Sequence, residues 1–176
     1  MTDYPTPQPT TSCIWTIDQR WFDVLNPPMV QINEIAHGLS QLCRYNGHLP
    51  VFYSVAEHSI AVSELLSAEG HPTEVAVAGL FHDAAEAYIG DMVNPLKKQM
   101  PRFSEIEARI MIQVDEFAGT DYDRDLRDIV LDADMAVYDY EVRNIRFGAA
   151  PWDEMLPRHA KSAFLQRADL LFDQLG

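Results

Sequence analysis

The chain has 176 residues, enough for one domain with a buried core, and its 47% hydrophobic content excludes a disordered tail. A formal net charge of −14 excludes binding of long nucleic acid through a basic surface, since phosphate contacts need Lys and Arg. It leaves open a small phosphorylated ligand, which needs only a few local cations or a metal.

Residues 1–13, rich in Pro and Thr, are expected to form a loose arm ahead of a single domain over 14–176. The arm has neither the basic nor the apolar region of a secretory leader. No apolar run approaches the roughly 20 residues of a membrane span, so a cytoplasmic location is expected. Cys13 and Cys43 form no CxxC pair and are expected to be reduced thiols. Ile14–Val24, IWTIDQRWFDV, is rich in aromatic and β-branched residues and suits a short hairpin, which Asn26-Pro27-Pro28 ends.

From Ile32 the apolar period becomes helical, through Ile35, Ala36, Leu39 and Leu42, until Asn46-Gly47 and Pro50. A second helix is expected over Val55–Glu69, closed by Gly70 and Pro72. Thr73 is placed to cap a third, running through Ala85 to Tyr88 with Gly90 just past its end. Ser104-Glu105-Ile106-Glu107 reads as a capping box opening a fourth helix, stopped by Gly119. A fifth covers roughly Arg124–Arg146, and Pro157 opens a sixth. The expected fold is all-α, about six helices with a short N-terminal hairpin.

Within the third helix, GLFHDAAEAYIGD (Gly79–Asp91) carries four ionisable groups in a run that otherwise looks like core. Adjacent helical residues point about 100° apart, so His82 and Asp83 can reach two neighbouring corners of one metal sphere. His58 shares its helix face with Ala61, Val62 and Leu65, which points it inward as a third ligand. On the fifth helix Asp125, Asp128, Asp132 and Asp139 form a solvated face. Asp134 instead lies between Val130 and Val137, beside Tyr138, where a carboxylate is costly unless paired or metal-bound. Glu86, one turn beyond His82, is placed as a general acid/base, and Asp91, after the stop at Gly90, to bond a substrate hydroxyl. His37 and His48 have structural or hydrogen-bonding roles as the first reading, with an approach to the site as the alternative. His71 and His159 read as surface residues. Trp15, Trp21 and Trp152 are expected to pack, or one of them to line a base pocket. No GxGxxG, P-loop or GxSxG is present.

His58, His82-Asp83 and Asp134, in this order on successive helices, resemble the H…HD…D signature of the HD-domain metal-dependent phosphohydrolases. LCRYNGH (Leu42–His48), FYSVAEHS (Phe52–Ser59), HDAAEAYIGD (His82–Asp91) and NPLKK (Asn94–Lys98) resemble a small subgroup of that superfamily. It includes bacterial 5′-deoxynucleotidases, prophage-encoded homologues and phage dATP triphosphohydrolases. The resemblance runs from about Trp21 to Arg146. It implies an HD-domain helical bundle with one divalent ion, Co²⁺, Mn²⁺ or Zn²⁺, held by His58, His82, Asp83 and Asp134. It implies Arg44 and Lys97 as phosphate contacts, Glu86 and Asp91 as catalytic acids, and Asp91 also against the deoxyribose. Tyr45 stands where the subgroup has Trp, which leaves the sugar and base contact open.

The implied activity is hydrolysis at the 5′ phosphate of a deoxynucleotide. A dNTP triphosphohydrolase, dATP-preferring and bringing Mg²⁺ with its triphosphate, is the first reading; a 5′-deoxynucleotidase is the alternative. A cyclic-nucleotide or alarmone phosphohydrolase is a further enzyme reading, against which no Gly-Tyr-Pro follows the His-Asp pair. A non-catalytic nucleotide or metal sensor is the reading from another class. The resemblance also implies a homo-oligomer in a bacterial or phage-infected host cytosol.

Overall fold

The computed structural model describes residues 11–120, 124–146 and 155–176. Most of the expected arm, and Trp152, lie outside the described residues. The chain is an all-α bundle with a short N-terminal hairpin, as expected. Strands β1 (Cys13–Trp15) and β2 (Trp21–Asp23) pair antiparallel, Ile14 opposite Phe22. The six expected helices are present as α1 (Ile32–Gln41), α2 (Val55–Ala68), α3 (Thr73–Phe81), α6 (Pro101–Ala118), α7 (Arg124–Glu141) and α8 (Pro157–Leu175). Two four-residue helices lie between them, α4 (Glu86–Ile89) and α5 (Asn94–Lys97).

α3 is the centre of the bundle. Every residue from Val75 to Phe81 is buried, and α2, α6, α7 and α8 all pack against it. A helix apolar all round has nowhere else to go. Phe81 meets Phe117, Phe164 and Phe172, with ring centroids 5.9, 5.6 and 6.0 Å away. None of the described helices is long and apolar enough to cross a membrane.

Several boundaries differ from those expected. α6 begins at Pro101, not at Ser104, because proline at the first helical position starts the turn earlier. The capping box forms at α2 instead: Ser54 Oγ accepts from Glu57 N at 3.2 Å, and Glu57 Oε2 accepts from Ser54 N at 2.8 Å. α3 is capped by Pro72, while the Thr73 hydroxyl turns to Gln174. The first helix ends at Gln41. The chain then extends, Cys43 bridging Ser54, before a 3₁₀ turn over Arg44–Gly47.

α4 is anchored from behind. Buried Glu34 on α1 accepts from Arg20 Nε at 2.7 Å, Thr16 Oγ1 at 2.5 Å and Tyr88 OH at 2.9 Å. Phe22 stacks on Tyr88 at 3.9 Å. Gly38 on α1 lets α4 approach: an added Cβ would lie 2.7 Å from Ala87 Cβ and 2.8 Å from its Cα and carbonyl oxygen. Backbone cannot yield as a side chain can. Gly38→Ala is therefore expected to destabilise by about 1–3 kcal/mol, read as a lower melting temperature.

Candidate metal centre

The capping box fixes where α2 starts, and so places His58 in its first turn, fully buried. His82 and Asp83 do not lie inside a helix as expected. α3 stops at Phe81, and 3₁₀-like bonds from Ala84 N to Phe81 O and Glu86 N to Asp83 O turn the chain before α4. On α7, Val130, Ala133 and Val137 face the core, and half-buried Asp134 borders that stripe. Asp125, Asp128, Asp132 and Asp139 are exposed.

These elements bring three of the four expected ligands together. One ligand atom each from His58, His82 and Asp134 lie within 4.8 Å of one another, a group that could hold a metal ion. His58 Nε2 is 2.9 Å from Asp134 Oδ1. His82 Nε2 is 3.9 Å from that same oxygen. Asp83 is not among the three. Its Oδ2 lies 3.2 Å from His82 Nε2 and 3.9 Å from the Arg44 guanidinium, which draw it to the edge of the group.

The donor chemistry fits a cation. His82 Nδ1 donates to the Gly79 carbonyl at 2.8 Å, which can only accept, so the lone pair is left on Nε2. That Nε2 is buried and has no hydrogen-bond partner. His58 is oriented the same way, with Nδ1 2.7 Å from a carboxylate of Glu141. Without a cation, protons fill the role. Burial works against protonating His82, but the negative charges of Asp83 and Asp134 carry its pKa up to about 9. Burial would raise Asp83, yet His82 beside it holds that carboxyl well below the usual range. Metal binding must therefore displace a proton.

Asp134 of this group lines a cavity of about 550 Å³, together with Arg44, Tyr45, Asp83, Glu86, Asp91, Lys97 and Tyr138. All nine expected site residues are found here or in the ligand group. Glu86 is buried, and its Oε2 has no hydrogen-bond partner. Burial first, then the charges of Asp83 and Asp91, push its pKa up to about 10. Burial also raises Asp91. Lys97 Nζ is bound to Glu107 at 2.6 Å. Tyr45 adopts a left-handed backbone, φ 56°, a strained conformation for a bulky residue of the kind that concentrates at functional sites. Its ring lies 6.1 Å from that of Tyr138.

Glu141, the last residue of α7, escaped the sequence reading. Its side chain is fully buried. It accepts from Tyr45 OH at 2.7 Å and Arg44 at 3.1 Å as well as meeting His58. Its position was signalled: it follows Val137 by four residues and Asp134 by seven, on the same helical face. His37 lines a different cavity, between the hairpin and α1, together with Trp15. His48 is exposed. Trp15 and Trp21 pack edge to face at 4.8 Å, on the hairpin.

No family model matches the chain. It is 40% identical over 99 residues to Uncharacterized protein YfdR of Escherichia coli K12, covering 56% of this chain and 53% of that protein. It is 39% identical over 102 residues to Uncharacterized protein RCAP_rcc00048 of Rhodobacter capsulatus, covering 54% and 52% respectively. The chain thus spans about half the length of the curated relatives it matches, and their names state no activity.

Proposed function

We propose that the chain is an HD-type, metal-dependent phosphohydrolase acting at the 5′ phosphate of a deoxynucleotide. The observation that carries this reading is the meeting of His58, His82 and Asp134, the last of which lines a cavity that also holds a buried carboxyl and two cations. Those three residues, with Asp83 beside them, would hold the ion. Two imidazoles and carboxylates suit Co²⁺, Mn²⁺ or Zn²⁺. Such an ion acidifies water and polarises phosphoryl oxygens.

The chain's own residues supply the rest. Arg44 and Lys97 neutralise phosphate charge that a net-acidic protein must answer locally. Glu86 exchanges the proton. Positive charge entering the cavity would pull it down from about 10 toward the range where acid–base catalysis works best. Asp91 bonds a sugar hydroxyl. Tyr45, with Tyr138, Leu131 and Met135, offers an apolar wall to the base.

Triphosphate release from a dNTP, by attack at the α-phosphorus, remains the first reading through the resemblance. Phosphate release from a dNMP has one observation in its favour. Among the residues lining the cavity, two cations face four carboxylates, a poor match for a triphosphate unless Mg²⁺ accompanies it. A panel of dNMPs, dNTPs and NTPs with Co²⁺, Mn²⁺ and Zn²⁺, resolving phosphate, pyrophosphate and triphosphate, decides. The triphosphohydrolase yields nucleoside and triphosphate from a dNTP and gains from added Mg²⁺; the nucleotidase yields phosphate from a dNMP without it. Nucleotide binding with no turnover under any metal would leave the sensor. A homo-oligomer, proposed on the same resemblance, is tested by sedimentation.

A further inference from the structure

Glu141 has no part in the roles assigned so far, yet it touches both the ligand group and two residues that line the cavity. Its Oε1 lies 2.7 Å from His58 Nδ1. Its Oε2 accepts from Tyr45 OH at 2.7 Å and from Arg44 at 3.1 Å. A further hydrogen bond links it to Tyr53, whose hydroxyl is pushed well above its usual range by burial first and then by Glu141.

We infer that Glu141 is a positioning residue that joins the metal edge of the cavity to its phosphate edge. It holds the His58 proton on Nδ1, which turns Nε2 toward Asp134, and it holds Arg44 and Tyr45 in place on the other side. The inference rests on the metal-centre reading.

The chemistry requires a carboxylate. An ionised carboxylate only accepts hydrogen bonds, so every group around Glu141 must donate to it. His58 therefore donates from Nδ1, which leaves Nε2 to serve a cation shared with Asp134. The geometry sets one ring between two acids. Asp134 and Glu141 lie two turns apart on one face of α7, and the His58 ring spans them, Nε2 at 2.9 Å from one and Nδ1 at 2.7 Å from the other. Tyr45 is kept in its left-handed turn, with Arg44 above its ring at 5.3 Å, by the other oxygen of the same side chain. Glutamine has the same shape but not the same chemistry. Its amide nitrogen would point an N–H either at Arg44, which cannot accept, or at His58, which could accept only by moving its proton to Nε2. The side chain could then satisfy one edge of the cavity but not both.

The test compares wild type with Glu141→Gln and Glu141→Asp by titrating Co²⁺ alone, then inorganic phosphate on the Co²⁺-loaded protein. Glu141→Gln is expected to lower Co²⁺ affinity by about 10–100-fold, to change the visible Co²⁺ spectrum and to weaken phosphate binding, with Glu141→Asp recovering part of each. A residue that merely props the fold would lower the melting temperature and leave both affinities and the spectrum of the folded variant at wild type. Wild-type affinity for either probe in Glu141→Gln overturns the joint role. If neither variant folds, long-range ¹H–¹⁵N NMR of the Zn²⁺-loaded wild type decides. A proton on His58 Nδ1, slow to exchange, supports the inference, and an unprotonated Nδ1 overturns it. A wild-type protein that binds no Co²⁺ removes the metal-centre reading itself, which is a different result from wild-type binding that Glu141→Gln leaves unchanged.

Discussion

Glu86→Gln is expected to make the metal-free protein more stable while lowering turnover by about 10²–10⁴-fold, the range for loss of a general acid/base. The two effects have one origin. Burial and the charges of Asp83 and Asp91 raise the Glu86 carboxyl from its ordinary 4.5 to about 10. Its folded pKa exceeds its unfolded one, so the stability it contributes is complete below about pH 4.5 and is lost as pH rises through about 10. Glutamine cannot ionise and escapes that loss. The variant should melt above wild type at neutral pH, by about 2–4 °C for each kcal/mol recovered, and the gap should widen toward alkaline pH. Thermal melts of stripped protein across pH check this. A gap that stays constant with pH would show that Glu86 is ionised in the metal-free fold.

The second large effect is expected at Asp134. Asp134→Asn should lower Co²⁺ affinity by more than the ~100-fold that loss of an outer partner can cost, because it swaps the anionic donor of the proposed ligand for a neutral amide rather than altering a group behind it. The fold should survive: the side chain is half-buried and asparagine has its shape. Asp132→Asn is the control, two residues away and exposed, and should bind Co²⁺ as wild type does. Calorimetric titration separates them. Equal affinities for the two variants would place the ion elsewhere.

Much of this site was legible because helical period sorts acids by what surrounds them. The same rule that set Asp132 in solvent set Asp134 beside the Val130 and Val137 stripe, and put His58 on the inward face of α2. Gly and Pro marked most helix ends. Less legible was the break after Phe81. No Gly or Pro lies between Leu80 and Ile89, and the apolar residues keep helical spacing across the turn. The chain leaves the helix there through tertiary packing, with Gly38 admitting α4 and the Arg20–Glu34–Tyr88 network holding it.

Capping boxes show a second limit of local pattern. Ser54–Glu57 and Ser104–Glu107 both match S-x-x-E, but only the first closes on itself. Pro101 starts α6 a turn before the second could act. Glu141 was hidden for a different reason. It ends an acid-rich helix beside exposed Asp139, and nothing near it in sequence announces that Arg44, Tyr45 and His58 will meet it. Its partners lie 83 to 97 residues away, and only the fold supplies them.

The proposed function meets its most direct test in deoxynucleotide hydrolysis by one protein sample, first stripped of metal and then reloaded with Co²⁺. No phosphate or triphosphate should be released after stripping, and release should return at about one equivalent of Co²⁺. The same turnover before and after reloading, or none in either state, would contradict a metal-dependent phosphohydrolase.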